Sequence, residues 1–308
     1  MKETAPEAAV TAPTRRPTVP ALDAMVGEKI PVLDHGFVAL VDYMGDDQAI
    51  VQAARVSYGR GTKRAREDRG LIRYLLRHHH TTPFEMCEIK VHVKLPIFVA
   101  RQMIRTRTAN VNEYSGRYSI LDREFYVPDA SVLASQSSSN RQGRGDAVSP
   151  ERARQVLEML KQDALTAYDH YENMLGGPSE TQTTGEQRGE ETEGIARELA
   201  RINLPVSFYT QWYWKIDLHN LLRFIALRAD AHAQYEIRVY AEALASLVKL
   251  WVPDAYEAFV DYQMESASLS RMELDALKAL LKGETPDLAA LGLSVREQAE
   301  FKRRFGLT

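Results

Sequence analysis

Three arginines, two asparagines, a glutamate and a serine fall within Arg105–Tyr118, "RTRTANVNEYSGRY". A guanidinium is permanently charged and planar, and it grips phosphate or carboxylate with paired hydrogen bonds. The Asn, Ser and Gly residues favour turns that expose backbone N–H groups, and Gly116 permits a positive φ. With Arg105, Arg107 and Arg117 around it, such a loop can seat a phosphate. A solvated salt-bridge cluster is an equally weighted alternative. Just upstream, Gln102 and Arg105 share a face of a helix expected from Pro96 through "IFVARQMIR". Arg101 and Arg105 lie one turn apart and repel unless an anion or carboxylate sits between them.

A second segment favours the anion. "DLHNLLRFIALRADAHAQYE" is read as part of one long helix over Leu218–Trp251, with Arg228 and His232 on one face. An arginine in so apolar a helix is costly to bury unless it meets a carboxylate or an anionic ligand. Pairing with an internal glutamate remains open. The run His78–His80 closes a helix over "REDRGLIRYLLRHHH". Neighbouring helical side chains point about 100° apart, so three in a row do not converge on one ion. The chain also lacks CxxC and HExxH, and no metal site is expected. The single cysteine, Cys87, excludes an intrachain disulfide and reads as a small buried hydrophobe at the start of a strand.

The elements that must position these residues follow from periodicity. "HGFVALVDYMG" reads as a strand, and Asp46–Val56 as a helix. In "EIKVHVKLP", apolar residues alternate with Lys90, His92 and Lys94, as in a half-buried strand. "SFYTQWYWKI" alternates likewise. "ASQSSSNRQGRGDAVSP" and "GGPSETQTTGEQRGEETEG" read as loops, separated by a helix over 151–174 with Ser149 as N-cap. Two short C-terminal helices open on capping boxes, Ser270…Glu273 and Ser294…Glu297.

These segments together resemble the flavin-dependent thymidylate synthases. That family carries Arg-His-Arg, seven residues, then Ser; here it is Arg105-Thr106-Arg107, "TANVNEY", Ser115. "QAARVSYG", "HTTPFE", "FVARQMIR", "SGRYS", "EFYVP" and "LRADAHAQYE" follow the family's order, from about Leu33 to Tyr262. The resemblance implies an α+β fold, an antiparallel sheet packed with long helices. It divides the chain into a disordered leader over 1–29, the synthase domain over 30–262 with polar insertions between 130 and 193, and a helical extension over 263–308.

The implied reaction is reductive methylation of deoxyuridine monophosphate to thymidine monophosphate. Methylenetetrahydrofolate supplies the carbon, and NADPH-reduced FAD supplies the hydride. The resemblance assigns the nucleotide to Gln102, Arg105, Glu113, Tyr114, Ser115, Gly116, Arg117 and Arg201, with Arg228 as the catalytic residue against the uracil. It assigns FAD to Ser57, Thr82, Arg105, Thr106, Arg107, Glu113, Asp217, His219, Arg223 and His232, in a homotetramer with shared sites. Thr106 departs from the family's histidine: it keeps a hydroxyl but loses an aromatic face and a titratable nitrogen beside the flavin.

Composition agrees with an ordinary globular protein, 44% hydrophobic and 26% charged, with a net charge of −3. Any anion site must therefore be local. No apolar run reaches the roughly 18 residues of a membrane span, and the N-terminus lacks the apolar core of a secretory signal, so the cytoplasm is expected. One rival is a single-stranded nucleic-acid binder using the arginines and "YTQWYW". The slight negative charge and strand-like alternation of those aromatics argue against it. The other is a flavin- and nucleotide-binding homologue without synthase activity.

Overall fold

The computed structural model describes residues 15–56, 65–137, 143–177 and 193–307, which form two compact units divided after Phe259. The first is built on a five-stranded antiparallel sheet in the order β1-β2-β3-β7-β4. Its strands are β1 (Lys29–Val32), β2 (Gly36–Met44), β3 (Glu88–Pro96), β4 (Asn110–Glu113) and β7 (Tyr209–Asp217). A separate hairpin pairs β5 (Ala134–Gln136) with β6 (Arg144–Ala147).

Alternation decides the two faces of the sheet. Ile89, Val91 and Val93 of β3 lie opposite Ile216, Trp214 and Trp212 of β7, and all six are buried. On the other face His92 meets Tyr213, with ring centroids 5.2 Å apart. The packed face is covered by α9 (Tyr235–Trp251), which lies against β1 and β2 and also contacts α1 (Pro20–Asp23), α5 (Ile97–Met103) and α8 (Leu218–Arg228). Tyr240 of α9 donates to the Lys94 carbonyl at 2.7 Å. A Cβ on Gly36 would stand 2.1 Å from that Tyr240 hydroxyl, so β2 can begin there only on a glycine.

One corner gathers α2 (Asp47–Val56), α3 (Ala65–Arg77), α4 (Thr82–Glu85) and α10 (Pro253–Phe259). Elsewhere α6 (Pro150–Met174), capped by Ser149, packs Tyr168 flat on Phe208 at 5.6 Å. The short α7 (Arg197–Ala200) adds Ala200 to this satellite core. The second unit, Val260–Thr308, carries α11 (Arg271–Leu281) and α12 (Val295–Phe305) around Ala276, Leu288, Leu293 and Phe301. Both helices open on the expected capping boxes.

Several expectations are corrected. Of the expected leader, residues 1–14 lie outside the described residues, but 15–29 are folded: Leu22 is fully buried, and the Tyr43 hydroxyl donates to Asp23 at 2.5 Å. The helix before the histidines stops at Arg77, and His79 takes a left-handed φ of 58°. Asn110–Glu113 is a strand, because β7 offers its free edge to those residues despite their turn-like composition. The first expected loop contains the β5–β6 hairpin; in the second, residues 178–192 lie outside the described residues. The long helix over Leu218–Trp251 is broken between Arg228 and Tyr235. There the Asp230 carboxylate accepts from the His232 backbone N–H at 2.7 Å, a local bond that competes with continued helix.

Candidate functional site

The sharp end of β3 sets up the site. Pro96 closes the strand and serves as N-cap of α5, which runs only to Met103. Arg105 and Thr106 then fold into a tight turn, their N–H groups donating to the Gln102 and Met103 carbonyls at 3.2 and 3.0 Å. Arg107 follows before β4 begins. Across from this turn α8 ends on Arg228. Arg101, Gln102, Arg105, Arg107 and Arg228 together line a cavity of about 650 Å³.

The electrostatics of this cavity are lopsided. Four of its five lining side chains are guanidiniums, and none forms an ion pair with a carboxylate among the described residues. Clustered like charges without a counter-charge make a ready seat for an anion from outside the chain. The cavity thus gathers four of the expected residues, Gln102, Arg105, Arg107 and Arg228, and adds Arg101, whose spacing from Arg105 was the signal. Arg228 itself is half-buried rather than buried, since it sits at the end of α8 on the cavity wall. Nor do Arg228 and His232 share a helical face, because the break falls between them. His232 is exposed and turned to Asp230, with Nδ1 2.9 Å from its carboxylate.

A second group stands at the far end of β4, about 13 Å of strand away. Glu113 accepts from the Thr210 hydroxyl at 2.7 Å, and the Tyr114 hydroxyl donates to the Ile120 carbonyl at 3.1 Å. The Ser115 hydroxyl accepts from the Arg117 backbone N–H at 3.3 Å, and among the described residues no histidine bonds to it as a base would. Gly116 is buried under Arg201, and a Cβ there would come within 3.2 Å of the guanidinium. Arg201 is therefore laid along the loop backbone by the absence of a side chain. Arg117 is paired, its Nε 3.1 Å from Glu198.

A third group lies at the start of α8. His219 and Arg223 are one turn apart, and neither has a carboxylate partner among the described residues. Thr82 is exposed on α4, which packs against α8. Asp217 is engaged as the N-cap, accepting from the Asn220 backbone N–H at 2.9 Å and its side-chain amide at 2.7 Å. Thr106 is half-buried in the turn between the first group and β4, and Ser57 lies outside the described residues. The guanidiniums of Arg107 and Arg223, with the His219 ring as a further hydrogen-bonding group, suit a cofactor bearing a diphosphate.

Cys87 cannot act as a nucleophile. It is fully buried, its Sγ lies 3.6 Å from the Asp46 carbonyl oxygen, and burial pushes its thiol up to about 12. Among the described residues no three His, Cys, Asp or Glu side chains gather as a metal cage, and no helix is long and apolar enough to cross a membrane.

Comparison with known proteins matches residues 39–254 to the family described as thymidylate synthase complementing protein. The chain is 59% identical over 296 residues to a flavin-dependent thymidylate synthase of Ruegeria pomeroyi, covering 96% of this chain and 94% of that one. It is 58% identical to the one from Gluconobacter oxydans, covering 93% of this chain and 90% of that one. In structure it is similar to the UMP/dUMP methylase PolB from Streptomyces cacaoi bound with 5-Br dUMP. That likeness has a TM-score of 0.65 and 32% identity, covering 77% of this chain and 100% of that one.

Proposed function

This chain belongs to the flavin-dependent thymidylate synthase family, and on that premise we propose that it converts deoxyuridine monophosphate to thymidine monophosphate by reductive methylation. The carbon comes from methylenetetrahydrofolate and the reducing equivalents from NADPH. The observation that carries the reading is the cavity of four guanidiniums and one amide, with no carboxylate paired to those guanidiniums among the described residues. Such a site prefers an anionic ligand with several acceptor atoms, as a nucleotide has.

Each group of residues has a part. Arg105 and Arg201 hold phosphate by charge-assisted bonds, while Gln102 and the Tyr114–Arg117 loop hold the sugar. Arg228 faces the uracil and stabilises negative charge as the N3 proton leaves and C5 becomes nucleophilic. Thr82, Thr106, Arg107, Glu113, Asp217, His219, Arg223 and His232 surround the FAD, which when bound supplies the hydride that completes the methyl group. With Cys87 protonated and buried, no thiolate adduct on the uracil is available from this chain.

The separation of the Arg101–Arg228 cavity from the Ser115–Arg201 loop supports a site completed by neighbouring subunits. Ile104 and Leu227, beside that cavity, are 48% and 63% exposed in the single chain, which also suits an assembled face. We read the assembly as a homotetramer, working in the cytoplasm.

The test is an anaerobic absorbance titration. Protein loaded with FAD is reduced by NADPH with and without deoxyuridine monophosphate, and thymidine monophosphate is then measured after adding methylenetetrahydrofolate. Faster bleaching with the nucleotide, followed by product, is the expected result. Flavin binding without product would favour the inactive homologue, with Thr106 as the first suspect. Absence of both flavin and nucleotide binding would overturn the reading.

A further inference from the structure

We propose that Glu236, braced by Arg144 of the β5–β6 hairpin, sets the hydrogen-bond polarity of Gln234 and through it of Gln102, so that the pocket is offered the Gln102 carbonyl oxygen. The inference rests on the nucleotide reading of that pocket. Glu236 is 4% exposed, in the first turn of α9. Arg144 reaches over from the hairpin with Nη2 at 2.6 and 2.7 Å from its two carboxylate oxygens. The Tyr126 hydroxyl donates to Oε1 at 3.3 Å, and burial together with the carboxylate's charge raises the phenol's pKa, so the hydroxyl stays a donor. The Gln234 amide nitrogen donates to Oε2 at 2.9 Å.

A carboxylate meeting a cation and two further donors only accepts. Gln234 must therefore turn its NH₂ toward Glu236 and its carbonyl outward. That carbonyl faces Gln102, whose Nε2 donates to it at 2.5 Å. One amide polarity dictates the next, and the group left over on Gln102 is Oε1. This matters because the other four side chains lining the cavity, Arg101, Arg105, Arg107 and Arg228, have no acceptor. Gln102 Oε1 is the lining side chains' single acceptor, and a nucleotide, with sugar hydroxyls and a ring N–H, has donors to meet it. A bare oxyanion does not.

Arg144, Glu236 and Gln234 are thus positioning residues for substrate selection. Arg144 lies 92 residues before Glu236, which stands two residues after Gln234 at the start of α9, and the hairpin lies in the polar insertion that the fold alone leaves without a role. If the brace is lost, both amides are free to reverse and the pocket becomes donor-only.

The experiment compares FAD-loaded wild type, Glu236→Gln and Gln234→Ala, reading affinity from the ligand-dependent rise in melting temperature. The two ligands are deoxyuridine monophosphate and sulfate, which has no hydrogen to donate. Both variants should weaken nucleotide binding about tenfold while sulfate affinity stays within about twofold, because only a donor loses its partner. Gln234 is exposed, so its variant carries the test if Glu236→Gln does not fold. Equal loss of both ligands, or unchanged nucleotide affinity, would overturn the relay. Wild type that binds sulfate but not the nucleotide would overturn the nucleotide reading, and the relay's role in selection with it.

Discussion

Arginines in two regions of the first unit live by opposite rules. In the α2–α3–α10 corner they are matched: Arg55 meets buried Asp68 at 2.5 Å, and Arg69 and Arg73 share Glu257. Around the cavity, Arg101, Arg105, Arg107 and Arg228 have no carboxylate partner among the described residues. The matched set closes its electrostatics within the chain and holds helices together. The unmatched set leaves its electrostatics to be closed by a ligand, at some cost to the folded state through mutual repulsion. The difference separates arginines that serve stability from arginines that serve binding.

Substitution can break this contrast. Arg228→Ala should lower turnover by about a hundredfold to a thousandfold while FAD remains bound, since its role is on developing charge in the substrate. Steady-state assay and the flavin spectrum check both halves, and a variant stripped of flavin would move Arg228 to the cofactor's side. Next in size, Arg55→Ala should cost about 3 kcal/mol of stability by leaving Asp68 buried without its partner. Its nucleotide affinity should be unchanged, and chemical denaturation with a binding assay measures both. If stability is untouched, the corner pair is not structural.

Smaller effects sharpen the contrast. Saturating sulfate should stabilise the wild type by about 2.7 kcal/mol at a hundredfold excess over Kd, and Arg105→Gln by clearly less. A melting curve at rising sulfate separates them, and identical shifts would mean that the anion binds elsewhere. The smallest effect belongs to Asp47, whose oxygens accept from the Asp254 and Ala255 N–H groups at 3.0 Å each. Burial raises its pKa from 3.8 to about 6, with the neighbouring carboxylates adding to the shift. A raised carboxyl favours folding while protonated, so its contribution is fully present below 3.8 and is lost as pH rises through about 6. Asp47→Asn should flatten that slope between pH 4 and 6, as followed by denaturation midpoints.

Local patterns were the readable part of this chain. The alternation in β2, β3 and β7, the Ser149 cap and both C-terminal capping boxes depend on neighbours a few residues away. What escaped depends on distant partners: Asn110–Glu113 is a strand only because β7 lies beside it, and Leu22 is buried only once α9 covers it. The break after Arg228 was hidden because an alanine-rich stretch favours helix while a single Asp230 side chain decides otherwise. Within the site, Gln102, Arg105 and Arg107 were legible by type and local pattern, whereas Arg228 was singled out by type alone, since the helical spacing to His232 is interrupted by the break. Arg144 and Glu236 were not, since no periodicity links residues 92 positions apart.

The buried Cys87 has a practical side as well. A chain whose one thiol is fully covered and protonated at neutral pH is effectively blank to thiol-directed reagents. A cysteine introduced at Val295, 85% exposed at the first turn of α12, would be the one accessible thiol, since Cys87 is the chain's single native cysteine and is buried. A single dye or spin label could then be attached to the second unit without first removing anything native.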